Sequence, residues 1–484
     1  MNLSIVYFHL RIRLVRLALS VIGFTLACAP LRGEEPVNFS QQFETIRQTA
    51  TPAQLFTLLY AVPKAGDLHH HIGGDWRMED LYRVATNALV AEGQQFYTRV
   101  RAGECSGEGN SWVRFATISQ REWQSLEKCQ QAEYLSLDQL DATLRTEWIN
   151  SLRLDQPGEG RDEFFERIWP RLGALQRDPY VGAEMLVETM KRYGAEGVRY
   201  LEPQLIPDYW VSPDGKAMDG EAFYQLIKAR LQQPDAVATG VSVRFQVVVI
   251  RFLPNAEQRV AAAYDFVDRH RDLFVGINMA GREDNNKGYP RRFLEIYRQM
   301  RHRYSGIGLS IHGGEADEPN SHGRDTLLLG ATRLGHGVNL IKDDDLLLHL
   351  RSGIALVEIN LVSNLLLEYV KEYGEHPFGE YLRTGIPVAL STDDSGMWDA
   401  GMTEEYYTAV TEFHVNWSEL TSMGTNSLHW SFAEPALKAR LLSDYQKALG
   451  VFERQFGGPD WAGRLKAVHP VAYGYARRRW HLDF

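Results

Sequence analysis

Eight short apolar or β-branched runs between residues 65 and 392 constrain this chain more than any other feature. They are Ala65–Ile72, Gly197–Leu205, Val241–Phe252, Phe274–Ala280, Ile307–His312, Arg333–Leu340, Ala355–Leu361 and Pro387–Thr392. Bounded by Gly, Pro, Asn and other polar residues, they read as strands. Helical patterns separate most neighbours, as in Ala256–Arg271 and Arg291–His302. Strand alternating with helix, without hairpin turn signals, implies parallel strands joined by crossovers, because a tight turn cannot connect a parallel pair. Eight such strands predict an α/β fold closed as a (β/α)8 TIM barrel, which leaves no sheet edge to protect.

The spacing is uneven. The stretch between the first two runs is far longer than one crossover needs. Residues 92–161 within it carry many charges, a Gly/Ser-rich segment and two cysteines, and predict a largely helical insertion serving as a cap or lid. From Thr403 onward the chain reads as extra C-terminal helices, with Asn426–Phe432 expected to open one of them. Residues 34–484 are expected to form a single barrel domain.

The first thirty-three residues are set apart. Arg11, Arg13 and Arg16 precede an apolar stretch from Leu17 to Ala29, and no acid occurs before Glu34. A charged start, a short apolar core and small residues at Ala27-Cys28-Ala29 predict a signal peptide over 1–33, and hence export to a periplasm or the exterior. The run is shorter than the roughly 20 residues that cross a bilayer, so no membrane span is expected in the mature chain. A lipid anchor through Cys28 is the less favoured outcome, since Thr25-Leu26-Ala27 fits that pattern poorly. Export leaves Cys105 and Cys129, which are expected to form a disulfide stabilising the fold by about 3 kcal/mol. With 62 acidic against 52 basic residues the formal charge is −10, and no Lys/Arg field exists to bind nucleic acid or an anionic membrane.

The strand ends carry the chemistry. In Asp67-Leu68-His69-His70-His71, residues two apart on a strand point the same way, so His69 and His71 share a face and His70 opposes them. The fifth run ends in His312-Gly313-Gly314-Glu315, the sixth contains Gly335-His336-Gly337, and the eighth leads into Asp393-Asp394-Ser395. In a barrel these C-terminal ends converge on one mouth. Several ionisable groups buried together without partners would be costly, which points to a metal and a reaction there. Imidazoles and carboxylates at one mouth suit a divalent metal, one ion per chain, with Zn²⁺ favoured and iron or manganese as alternatives, and no CxxC pair offers a thiolate site.

The segments PKAGDLHHHIGG (63–74), GVRYLEP (197–203), GINMAGRE (276–283), SIHGGE (310–315), RLGHGVN (333–339), VEINLVSN (357–364), HPF (376–378) and STDD (391–394) resemble, in order and spacing, the adenosine deaminase family of the metal-dependent amidohydrolases. With the leader and the insertion, the chain is similar to the secreted, growth-factor-related branch. The resemblance implies that His69, His71, His312 and Asp393 are the zinc ligands and that Glu315 shuttles a proton at purine N1. It implies that His336 orients the attacking water, that Asp394 contacts N7, and that Gly281 offers its backbone to the ring. The implied activity is hydrolytic deamination of a purine nucleoside, foremost adenosine to inosine and ammonia. The residue types suit it: attack at C6 needs an activated water and an acid beside the ring whose pKa is raised.

Three positions depart from the family. Gly73 replaces the acid thought to grip the sugar's 5′ end, Arg282 stands where an acid is common, and Ser395 replaces the usual Pro. Gly73 would leave room for a 5′-substituted or otherwise modified adenosine, which is the alternative substrate. A different hydrolysis on the same barrel, or an inactive extracellular nucleoside-binding protein, are the other readings, and a homodimer is left open.

Overall fold

The structure is a computed structural model and describes residues 38–90, 92–101, 113–283, 287–316 and 322–484. The expected leader, residues 1–33, and Cys105 lie outside these.

All eight runs are parallel strands. We number them β1 (Ala65–His71), β2 (Val198–Leu205), β3 (Phe245–Ile250), β4 (Phe274–Ala280), β5 (Gly308–Gly313), β6 (Arg333–His336), β7 (Leu356–Ile359) and β8 (Val388–Leu390). They pair in sequence order from β1 to β8. The third run is split at Arg244, because Ser242–Val243 forms its own short pairing with β2 before β3 begins. The strands are buried nearly throughout, which is why they read as continuous apolar runs rather than alternating ones. The seam between β8 and β1 is closed just beyond β8 by a bridge between His70 and Asp393.

Two expectations change here. The segment between β1 and β2 is not only helical: Phe96–Arg99 pairs antiparallel with Thr117–Ser119 and with Tyr134–Ser136 in a small sheet. It has its own core, in which Trp148, Phe164, Ile168 and Leu172 are buried with Trp76 and Trp398. Cys129 is disulfide-bonded there. Asn426–Phe432 does not open a helix but ends one, Trp417–His429. The chain then turns the Phe432 ring into the barrel floor, where a Cβ at Gly308 would lie 2.2 Å from that ring and one at Gly276 2.5 Å. Glycine is required at both positions by this plug. The helix Pro435–Phe456 completes the C-terminal layer, with Phe452 stacked on Trp417 at 5.4 Å.

Candidate active site

His69 and His71, two apart on β1, both reach the barrel mouth, while His70 turns the other way and stacks near Tyr193 at 5.9 Å between Asp67 and Asp75. His312 lies on β5, and Asp393 stands just beyond β8. One ligand atom from each of His69, His71, His312 and Asp393 falls within 4.8 Å of all the others. His71 Nε2 is 3.3 Å from His312 Nε2 and 3.3 Å from Asp393 Oδ1, and His69 Nε2 is 3.6 Å from the same oxygen. Among the described residues His69 Nε2 has no hydrogen-bond partner. Lone pairs facing one another in a buried space are what a cation resolves, so these residues fit a metal ion.

The far sides of His69, His312 and Asp393 are tied down. His69 Nδ1 lies 2.7 Å from Glu358 Oε2, His312 Nδ1 3.0 Å from Asn278 Oδ1, and Ser363 Oγ donates to Asp393 Oδ2 at 2.6 Å. Such partners fix ring orientation and ligand basicity. Glu358 continues inward to Arg333 Nε at 2.7 Å, and Arg333 Nη1 to Glu202 Oε2 at 2.8 Å, so a fully buried charge chain fills the barrel below the site. Arg333 and the hydrogen bond from His69 hold the Glu358 carboxyl below its usual range against the effect of burial. Burial pushes His312 well below the ordinary histidine range, reinforced by the neighbouring imidazoles, and so leaves it neutral for ligation. Burial opposes ionisation of Asp393, but the hydrogen bond with His71 and the surrounding imidazoles hold its carboxyl below the usual range.

The reaction candidates face the same space. Glu315 Oε1 is 3.7 Å from His336 Nε2. Burial raises the Glu315 carboxyl above its ordinary value. Its backbone N–H donates to Glu283 Oε2 at 3.0 Å, and Glu283 is held by Arg251 at 3.3 Å. Burial, then the adjacent Asp393 charge, raises the Asp394 carboxyl well above its usual range. Gly74 is needed beside it, since a Cβ there would sit 1.5 Å from Asp394 Oδ1. Gly281, with a left-handed φ of 98°, lines the cavity at the end of β4.

The cavity has a volume of about 560 Å³ and is also walled by Phe164, Phe165 and Trp169. These belong to the segment between β1 and β2 but lie beyond the expected insertion boundary at 161. A π-helical turn, Phe164–Ile168, leads into the helix Trp169–Leu172 and brings the Trp169 ring to 3.2 Å from where a Cβ on Gly73 would be. The room that Gly73 was expected to leave is therefore occupied by an indole.

The structure brings together His69, His71, His312, Asp393, Glu315, His336, Asp394 and Gly281, all read from the sequence. Sequence reasoning missed Glu358, Arg333, Asn278, Ser363 and the aromatic wall. Glu358 had a signal, an acid inside the apolar run Ala355–Leu361; Trp169 had none.

Comparison with known proteins agrees with this geometry. The family described as "Adenosine deaminase" matches residues 177–448. The chain is similar to an adenosine deaminase of Plasmodium falciparum, 26% identical over 304 residues covering 62% of this chain and 80% of the relative. It is 29% identical over 264 residues to an adenine deaminase of Chelativorans sp., covering 54% and 77% of the two chains. It is 25% identical over 260 residues to an N6-methyl-AMP deaminase of Bos taurus, covering 52% and 72%. Among solved structures, the fold matches an adenine deaminase from Arthrobacter aurescens with a TM-score of 0.59 at 19% identity, covering 80% of this chain and all (100%) of that one. It also matches a Burkholderia amidohydrolase with bound Zn, TM-score 0.59 at 17% identity, covering 83% and 94%. On the extent of the family match, the chain belongs to the adenosine deaminase family.

Proposed function

We propose that this protein is a zinc-dependent hydrolase that deaminates a purine nucleoside, adenosine first among them. The observation that carries the reading is Glu315. A buried carboxyl with a raised pKa stands 3.7 Å from His336 in the wall of a cavity that also holds the three-histidine, one-aspartate cluster. A protein that only bound nucleosides would have no use for such an acid.

Three nitrogens and one oxygen suit zinc, and when bound the ion supplies Lewis-acid chemistry that makes water nucleophilic near neutral pH. The chain's own residues do the rest. Glu315 enters protonated and gives its proton to N1, so that the ring accepts the electron pair as water adds at C6. The proton lost by the water passes to the amino group, the C6–N bond breaks and ammonia leaves with the bonding pair, and the C6 hydroxyl returns its proton to Glu315 as its oxygen becomes the carbonyl of the product. His336 holds the attacking water. Asp394, raised above its usual range, donates to N7, and the Gly281 backbone lies against the ring. The balance is adenosine plus water to inosine plus ammonia.

A second substrate reading rests on Trp169. With Gly73 in place of an acid and an indole filling the space beside it, the sugar end meets an aromatic wall, which favours a free base or a nucleoside with a small apolar 5′ end over one enlarged there. The disulfide at Cys129 supports export, since such bonds persist in oxidising compartments. The test is loss of purine absorbance across adenine, adenosine, 5′-alkylthio-adenosine and N6-methyl-AMP, with and without chelator. No loss with any purine under any metal condition would exclude the proposal.

A further inference from the structure

The direction in which His336 presents its proton is set by a chain of buried groups that begins at a backbone amide. The N–H of Phe378 donates to His376 Nδ1 at 3.1 Å. A backbone N–H cannot act as acceptor, so Nδ1 carries the lone pair and the proton of neutral His376 is on Nε2. Nε2 lies 3.1 Å from Asn364 Oδ1 and donates to it. With its oxygen engaged, the Asn364 amide turns its Nδ2 to His336 Nδ1, 3.1 Å away. Asn360 Nδ2 lies 3.1 Å from the same nitrogen. An isolated asparagine beside an imidazole could turn either way, so Asn360 alone would leave the tautomer open. Asn364 removes that freedom.

All members are buried: Asn360 and Asn364 at 0% exposure, His336 at 1% and His376 at 5%. Burial keeps His376 neutral, as the directions require, pushing its pKa down to about 3. The His336 ring is packed against the rings of His69 at 4.7 Å and His312 at 5.1 Å, so it cannot readily turn to exchange its two nitrogens. Its Nε2 faces Glu315 and has no hydrogen-bond partner among the described residues.

We infer that Asn364 and His376 are positioning residues that lock His336 as the Nε2–H tautomer, so that it meets the reacting water as a hydrogen-bond donor and not as a base. Neither residue touches the cavity. The role in turnover rests on the deaminase reading, but the tautomer does not.

The test uses full-length protein carrying ¹⁵N-histidine, kept in chelator, with the His336 signals identified by their loss in His336→Gln. The wild type is expected to show an unprotonated Nδ1 and a protonated Nε2. In Asn364→Asp both carboxylate oxygens accept, so the proton is expected to move to Nδ1; deamination should fall at least about 100-fold in kcat with KM within about threefold. His376→Leu should populate both tautomers. His376→Gln, able to accept from Phe378 and donate to Asn364, should restore the wild-type pattern. A protonated Nδ1 in the wild type would overturn the inference without any variant having to fold. So would an unchanged tautomer in Asn364→Asp, or a changed tautomer with kcat intact. If no purine is deaminated at all, the chelated protein still decides the tautomer.

Discussion

The amide of Asp393 donates to the carbonyl of His69 at 2.9 Å. That bond joins the last strand of the barrel to the first, and both of its residues are metal-ligand candidates. Closing the seam and aiming the carboxylate are one act. Metal binding to the folded chain should therefore raise its stability by mass action.

Removing the acid without changing its shape should separate binding from turnover. Glu315→Gln is expected to keep the metal and lower kcat by about a thousandfold. Metal analysis together with steady-state rates checks it; a rate near wild type would take Glu315 out of the proposed reaction.

Gly335 leaves the space that the His69 ring occupies, since a Cβ there would lie 2.5 Å from His69 Cε1. Gly335→Ala should displace the imidazole and weaken metal affinity by about 10- to 100-fold, the range seen when the support of a ligand is disturbed. Competition with a chromogenic chelator measures this directly.

Arg333 is fully buried between Glu202 and Glu358, with its guanidinium 3.8 Å from the centre of the Phe432 ring. Arg333→Met leaves two carboxylates in the barrel without their counter-charge. A loss of about 3–5 kcal/mol is expected in urea unfolding. Arg333→Met combined with Glu202→Gln and Glu358→Gln should recover part of it, at the expense of metal affinity through His69.

Trp169→Ala should open the end of the cavity beside Gly73. Selectivity between purine substrates, measured as the ratio of kcat/KM values for 5′-substituted and unsubstituted adenosine, should shift by about 10-fold or more. Metal affinity should stay unchanged, because Trp169 touches no ligand.

His376 gives an acid-side signature. Burial lowers its pKa to about 3 from 6.5. Above pH 6.5 it is neutral both folded and unfolded and contributes no slope. Between 6.5 and 3 the unfolded chain takes up a proton that the folded chain refuses, so stability falls as pH falls, by at most about 1.4 kcal/mol per unit. His376→Gln should flatten that limb in denaturation curves at pH 4 to 7, and an unchanged slope would show that His376 is protonated in the fold.

Much of this was legible in the sequence because parallel strands are buried on both faces and end in polar residues at a shared mouth. His69 and His71 follow from strand alternation alone, and His312, His336 and Asp393 from their place where an apolar run stops. What alternation cannot give is contact between segments far apart. Trp169 meets Gly73 only because a π turn re-aims its helix, and Phe432 fills the floor only because Gly276 and Gly308 yield space from distant strands. The small sheet at Phe96–Arg99 escaped notice because its strands are only three or four residues long and lack a hairpin signal. The tautomer relay needed the meeting of residues 336, 364 and 376, which sequence distance conceals.

His336 and Asp393 both adopt left-handed backbone conformations, with φ of 66° and 57°. For residues with a Cβ that is uphill by roughly 1 kcal/mol apiece, and the rest of the barrel has to absorb it. Glycine at either position would relax the chain but could neither hold a cation nor steer a water. A descendant that had given up chemistry for simple capture of nucleosides would face no pressure to keep this tension. In this fold the tension falls on one residue of the candidate metal cluster and on the one proposed to hold the water.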